Sequence, residues 1–362
     1  MPPLRGLKLV FFSSTIISSL RDFEYNPRMK KSRLVFILVF LVILAACAPG
    51  GGLSPVETAT PPEVRASETP SPSPVPPMAT VTSTPRPLAE RVLIISYDGL
   101  RPAAIGKAPM TNLIALMQTS AYTLAAQTIL PSSTLPAHAS MLSGLCPSKH
   151  AVYWNDYVPE NGYALGVDLF DLAHAAGLRT VMVVGKEKLR QITEPESTDV
   201  FIFKEMDSSI ANMAVEEIKN GFGLMFIHFP TGDVLGHEWG WMGGVQMWAF
   251  RTEDAYLKTI LTALDKAGLR DGTLIILTSD HGGYKTSHGG ERPEEMTIPW
   301  IVTGPGVIPG PLTSFVQTTD TAATAAYMLG LPLPAEWDGQ PVTEAFGQPT
   351  PPRVHEACQQ TH

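Results

Sequence analysis

The sequence predicts an α/β fold, with a mostly parallel central sheet and helices on both faces. Several short segments are apolar along their whole length rather than alternately, as strands buried on both sides must be. Segments with helical spacing separate them, and that alternation builds parallel sheets. Acids and histidines fall just past the ends of the apolar segments, where an open α/β sheet binds ligands.

In chain order, the strands are "RVLIISYDG", "LRTVMVVG", "GLMFIHF", "GTLIILTSDHGG" and "TIPWIVTG". The helices between them include "LFDLAHAAG", "SSIANMAVEEIKNG" and "MWAFRTEDAYLKTILTALDKAG". A chain of 362 residues, 44% hydrophobic and 17% charged, can bury a large core. We assign the catalytic domain to residues 89–346, without internal repeats, and expect a disordered tail over 347–362.

The front of the chain reads differently. Lys30, Lys31 and Arg33 precede an unbroken apolar run, Leu34 to Leu44, which ends in "LAAC" at Cys47. Basic residues before a short apolar run and small residues are the pattern of a signal peptide over 29–47, and the apolar run itself is too short to span a bilayer. "LAAC" resembles a bacterial lipobox, which makes Cys47 the lipidated first residue and places the rest outside the cytoplasm on a membrane anchor. Residues 1–28 would then lie upstream of the signal, so Met29 is the expected start. Residues 48–88, rich in Pro, Ser, Thr and Gly, have too few large apolar residues to offset the entropy of ordering them and read as a disordered, extended tether.

With Cys47 committed to lipid, Cys146 and Cys358 remain, and no disulfide framework is expected. The formal charge is −8, and from residue 34 onward 19 Lys and Arg face 32 Asp and Glu, a balance of −13. That argues against a polymeric nucleic-acid partner and suits bound cations.

Asp98 ends the first strand; Asp233 and His237 follow "GLMFIHF"; Asp280 and His281 follow "GTLIILTS", with His288 seven positions on. One such Asp is usually a turn former or helix cap. Three Asp and three His at strand ends suit two divalent ions, since imidazole and carboxylate are good zinc ligands that leave positions open for substrate.

The segments "SYDG", "STLPAHASMLSGLCPSKHAVYWN", "TGDVLGHEWG" and "SDHGG…HGG…IPWIVTGPG" occur in an order that resembles the alkaline phosphatase superfamily, in particular its type I phosphodiesterase/nucleotide pyrophosphatase branch, over residues 91–330. The resemblance implies an alkaline phosphatase-like fold. It also implies a metal-dependent phosphoric ester hydrolase acting through a phospho-threonine on Thr134, with a small phosphoester substrate. Asp98, Thr134, Asp280 and His281 would surround one zinc, and Asp233, His237 and His288 the other. Asn155, with backbone N–H groups at the start of the helix near Leu135, would meet charge on the nonbridging oxygens. His138 and His150 belong to the resemblance as supporting residues, while His174 and His228 read as packed and His355 and His362 lie in the tail. Ser132 and Ser133 receive no chemistry. The short spacing to His288 resembles other bacterial members and weakens the inference of a nucleotide substrate, and "YVPENGYALG" and "KEKLRQITEPESTD" are the expected rim loops.

Three rivals share features. A phosphomonoesterase or phosphonate hydrolase would use the same metals. A sulfatase needs Cys or Ser and a nearby Arg in its nucleophile segment, where "TLPAH" has Thr and no Arg. A lipoprotein that merely binds a ligand has no reason to set a hydroxyl beside a zinc site.

Overall fold

Strand β1 (Arg91–Tyr97) is buried from Val92 onward and lies between β5 (Leu224–Phe229) and β6 (Thr273–Thr278), parallel to both. The computed structural model describes residues 88–353 and Cys358. The expected N-terminal extension, signal peptide and nearly all of the tether lie outside the described residues, as do His355 and His362. Among the described residues no helix is long and apolar enough to cross a membrane.

One eight-stranded sheet runs in the order β4-β3-β5-β1-β6-β7-β2-β8, the other strands being β2 (Ala121–Gln127), β3 (Thr180–Val184), β4 (Val200–Phe203), β7 (Thr297–Thr303) and β8 (Gly310–Pro311). β4 through β6 are mutually parallel, whereas β7 is antiparallel to both β6 and β2. Pro299 in β7 offers no N–H, and β2 shifts register opposite it, between Thr123 and Ala126. A bulge where the ladder lacks a donor keeps both strands paired on either side.

Among the described residues ten helices accompany the strands: α1 (Pro102–Lys107), α2 (Thr111–Met117), α3 (Thr134–Ser143), α4 (Pro147–His150), α5 (Leu169–Ala175), α6 (Asp207–Asn220), α7 (Thr231–Trp239), α8 (Gly244–Ala267), α9 (Pro293–Met296) and α10 (Asp320–Met328). Successive strand residues face opposite sides. Val92, Ile94, Met182, Phe226 and Ile276 therefore pack with α3, α5 and α10, while Leu93, Ile95, Val183, Ile227 and Leu277 pack with α1, α2, α6 and α8. This division explains the unbroken apolar runs: each strand feeds two cores, and each buried Ile or Leu contributes about 1.5–3 kcal/mol.

Two expectations are corrected. Cys146 and Cys358 form a disulfide, across a separation of 212 residues. The described part of the tail also departs from disorder: Arg353 pairs with buried Asp320, and the Cys358 N–H donates to Gln317 Oε1 at 3.2 Å. No local pattern could have announced a bond between positions so far apart.

Candidate active site

The three central strands β5, β1 and β6 release their chains at the same edge of the sheet. The Asp98 N–H still donates to Phe229 O at 3.0 Å, so its side chain is held at the last rung of the sheet. Gly99 follows with φ +74°, and a β-carbon there would press on Asp233 at 3.3 Å. Asp233 comes from the first turn of α7, after β5, and Asp280 and His281 follow β6 directly. Thr134 opens α3; its neighbour Ser133 occupies the N-cap without a capping hydrogen bond. Asp98, Thr134, Asp280 and His281 are inaccessible to solvent, and Asp233 nearly so.

Each carboxylate uses one oxygen for the protein and withholds the other. Asp98 Oδ2 accepts from His228 Nε2 at 2.8 Å and from Lys186 Nζ at 2.6 Å. Asp233 Oδ2 accepts from Lys186 at 2.6 Å, and Asp280 Oδ1 accepts from the N–H groups of Gly99 (3.1 Å) and His281 (3.0 Å). Asp98 Oδ1, Asp233 Oδ1 and Asp280 Oδ2 are buried with no hydrogen-bond partner. Leaving such atoms unmade is costly unless something else binds them.

The histidines point their lone pairs at these same oxygens. Nδ1 of His237, His281 and His288 donates to backbone carbonyls of Thr286 (2.9 Å), Gly282 (2.8 Å) and Ser132 (2.9 Å). In the neutral ring that leaves Nε2 unprotonated, the arrangement of a metal-ligating histidine. His281 Nε2 lies 3.4 Å from Asp98 Oδ1 and 3.2 Å from Asp280 Oδ2, while His237 and His288 reach Asp233 Oδ1 at 3.4 and 3.5 Å. Ligands at zinc–ligand bond lengths around a tetrahedral ion stand about 3.3 Å apart. The donor atoms of Asp98, Asp280 and His281 form one group within 4.8 Å, and those of Asp233, His281 and His288 another, so the donor set fits two divalent cations.

The division differs in detail from the expected one. His281 faces both groups, and its ring stacks on His288 with centroids 3.7 Å apart. His237 stands at the exposed margin of the second group and outside its tightest cluster. Burial, reinforced by His288, holds His281 well below its usual pKa, and burial lowers His288 also, so both rings favour the neutral form that a metal ligand requires. Burial opposes the charge on Asp98, but Lys186, His228 and His281 outweigh it and hold the carboxyl well below its usual range. Burial and the neighbouring Asp98 push Asp280 the other way, well above its usual range.

A model of the type I phosphodiesterase / nucleotide pyrophosphatase family matches residues 92–297. The chain belongs to that family. Human GPI ethanolamine phosphate transferase 2, catalytic subunit, is 29% identical over 290 residues, covering 73% of this chain and 29% of the relative. Phosphopentomutase of Methylobacterium nodulans is 33% identical over 129 residues, covering 35% of this chain and 29% of the relative. The chain thus spans less than a third of these curated relatives. The fold matches murine ectonucleotide pyrophosphatase/phosphodiesterase 5 with TM-score 0.59 at 15% identity, covering 67% of this chain and 96% of that one. It also matches a phosphonate monoester hydrolase from Silicibacter pomeroyi, with TM-score 0.59 at 14% identity, covering 72% and 77%. These two solved structures share this chain's alkaline phosphatase-like architecture.

Within this phosphodiesterase-family site, Thr134 Oγ1 lies 3.5 Å from His281 Nε2 and accepts from Lys186 Nζ at 3.1 Å. Asn155 Oδ1 accepts from the Leu135 N–H at 2.9 Å, which occupies the very amide expected to face substrate. Pro136 has no N–H and Ala137 bonds Ser133 O, so the Thr134 N–H is the amide left at the helix start among the described residues. His138 bonds Thr134 O (2.7 Å) and Ser96 Oγ (2.8 Å), and His150 bonds Ser140 Oγ (2.9 Å). These bonds brace α3 against β1 and α4. His174 is exposed and pairs with Asp199 rather than packing.

Three residues escaped the sequence reading. His228, read as packed, holds Asp98 from beneath. Lys186, read as part of a rim loop, follows β3 by two residues and bridges Asp98, Asp233 and Thr134. Its position at a strand end was the available signal, since the rule that found the acids applies equally to a lysine. Ser132 Oγ donates to Gly290 O at 2.8 Å and accepts from the Gly289 N–H at 3.1 Å, fastening the loop that carries His288.

Proposed function

We propose that this chain hydrolyses a small phosphodiester with Thr134 as nucleophile, in an enzyme that holds two zinc ions on Asp98, Thr134, Asp280 and His281 and on Asp233, His237 and His288. One observation carries the reading: a buried threonine hydroxyl stands beside three partnerless carboxylate oxygens at which three Nε2 atoms converge. The ions, when bound, would lower the pKa of the threonine hydroxyl and of water and offset charge on phosphorus-bound oxygen.

The chain's own groups perform the rest. Thr134 Oγ1 attacks phosphorus as its hydroxyl proton passes to solvent, and the bond to the leaving oxygen breaks, that oxygen taking a proton from water to depart as an alcohol, which yields phospho-threonine. Water then attacks from the opposite side, breaks the phosphorus–Oγ1 bond and returns the hydroxyl. Lys186 donates to Oγ1 and stabilises the oxygen as it becomes negative, and the Thr134 N–H and the Asn155 amide donate to nonbridging oxygens. An inactive form of the murine phosphodiesterase neighbour was solved with AMP, which supports a small phosphoester as substrate. A phosphonate hydrolase or phosphomonoesterase is the second reading, favoured by the fold shared with the Silicibacter hydrolase. A sulfatase is disfavoured by Thr134 and by His138 where that chemistry requires Arg.

The "LAAC" segment and the long Pro-rich stretch support an extracytoplasmic enzyme, lipid-anchored at Cys47 and carried clear of the membrane on a tether. The acidic balance supports a small substrate over nucleic acid.

The test compares bis(p-nitrophenyl) phosphate, p-nitrophenyl phosphate and a sulfate ester on zinc-loaded enzyme, before and after chelation. Diester cleavage should dominate, vanish on chelation, and fall at least ~10³-fold in Thr134→Ala. Full activity in Thr134→Ala would disprove the nucleophile.

A further inference from the structure

Lys188, on the short 3₁₀ turn Glu187–Gln191, spends its ammonium on one residue: Nζ lies 2.8 Å from Asn155 O and 2.9 Å from Asn155 Oδ1. The same Oδ1 accepts the Leu135 N–H at 2.9 Å, from the residue after the nucleophile. These two donors fix which way the amide points. Were it flipped, its NH₂ would face an ammonium and a backbone N–H, three sets of donors with no acceptor. With Oδ1 held, Nδ2 has no protein acceptor among the described residues.

The two segments are also joined independently of Lys188. Gln191, on the same turn, accepts the Val158 N–H (2.9 Å) and Trp154 Nε1–H (3.3 Å), and donates to Val158 O and Gly162 O at 2.7 Å each. The segment carrying Asn155 and the segment carrying Lys188 are therefore tied together without Lys188. A lysine that served only to join the two loops would be redundant beside those four bonds.

We propose that Lys188 is a positioning residue for phosphoryl transfer: it grips both oxygens of Asn155 and so presents the Asn155 amide N–H groups to a nonbridging oxygen of the substrate. The charge-assisted bond to Oδ1 also polarises the amide, which strengthens those N–H groups as donors. The inference rests on the reading of Thr134 as nucleophile and Asn155 as donor.

The experiment is a double-mutant cycle on zinc-loaded enzyme, with bis(p-nitrophenyl) phosphate or, if it is cleaved faster, p-nitrophenyl phosphate. Asn155→Ala should lower kcat about 10²-fold, as loss of one such donor does. Lys188→Met should lower kcat about 10-fold or more, with KM changed less than kcat. Added to Asn155→Ala, it should cost less than about 2-fold, because the group it positions is gone. Lys188→Arg should recover most of the loss, and thermal melts should show Lys188→Met folded; if it is not, Lys188→Gln, which keeps a donor without the charge, takes its place in the cycle. Losses that multiply across the cycle, or a silent Lys188→Met beside an impaired Asn155→Ala, would overturn the positioning role alone. A silent Asn155→Ala would overturn the donor reading and the inference together.

Discussion

Replacing Lys186 by methionine removes an ammonium that bridges Asp98 and Asp233, at 2.6 Å from an oxygen of each. Its side chain is only 17% exposed. Burial opposes the charge on Lys186, but Asp98, Asp233 and Asp280 raise its pKa above the usual lysine value, so the ammonium persists. Each pair is worth about 6 kcal/mol of gross attraction at an effective dielectric of about 20, before the desolvation that both groups forgo. The net loss when one partner of a buried pair is deleted is about 3–5 kcal/mol, because the other charge is stranded. In metal-free enzyme we therefore expect Lys186→Met to lower the melting temperature by about 6–20 °C. Bound zinc should neutralise the same carboxylates, so at saturating zinc the loss should shrink to less than half. Removing a like charge from the site should also tighten zinc binding, by about 10-fold. Scanning calorimetry with chelator and with zinc, together with a zinc titration, reads both effects. Equal destabilisation in the two conditions, or weaker zinc binding by the variant, would show that Lys186 and the metals do not share these carboxylates.

Asp233→Ala should slow hydrolysis of the covalent intermediate more than its formation, so that a phosphoryl adduct on Thr134 becomes visible by mass spectrometry during turnover. Asp168, the N-cap of α5, is pushed up from 3.8 to about 7 by burial and by Asp171. An acid whose pKa is raised by folding contributes stability below about pH 4, and that contribution is lost as pH rises to about 7. Asp168→Asn, which keeps an oxygen for the Phe170 and Asp171 N–H groups, should flatten the fall in melting temperature over that window, by up to about 4 kcal/mol. Cys358→Ser opens a closed loop of 212 residues and should cost stability, with about 5 kcal/mol as the chain-entropy bound, while kcat stays within about 2-fold. Reductant should lower the melting temperature of the unaltered protein to that of the variant.

The main strands and helices were legible because burial leaves a periodic mark. Strands β1, β5 and β6 carry the unbroken apolar stretches Val92–Ile95, Leu224–Ile227 and Leu274–Leu277 since α-helices cover both faces, and helix α8 shows its 3.6-residue stripe. Strand β2, "AYTLAAQ", left no such mark, because Leu124 and Ala125 are exposed where the strand bulges opposite Pro299. Strand β7 was found, but its antiparallel sense was not, because side-chain alternation is the same in both directions.

The sequence by itself determined which chemistry this protein could support: acids and histidines placed after strands, a hydroxyl at a helix start, and the family motifs that bind them into one order. Those features are local, and each is written within about ten residues. Only the tertiary structure decided how they are used. It turned one oxygen of each aspartate toward the protein and left the other bare, placed Lys186 between two acids from different strands, and set Lys188 on Asn155 across 33 positions. It also joined Cys146 to Cys358. Such pairings depend on where distant segments meet, and no periodicity along the chain records that.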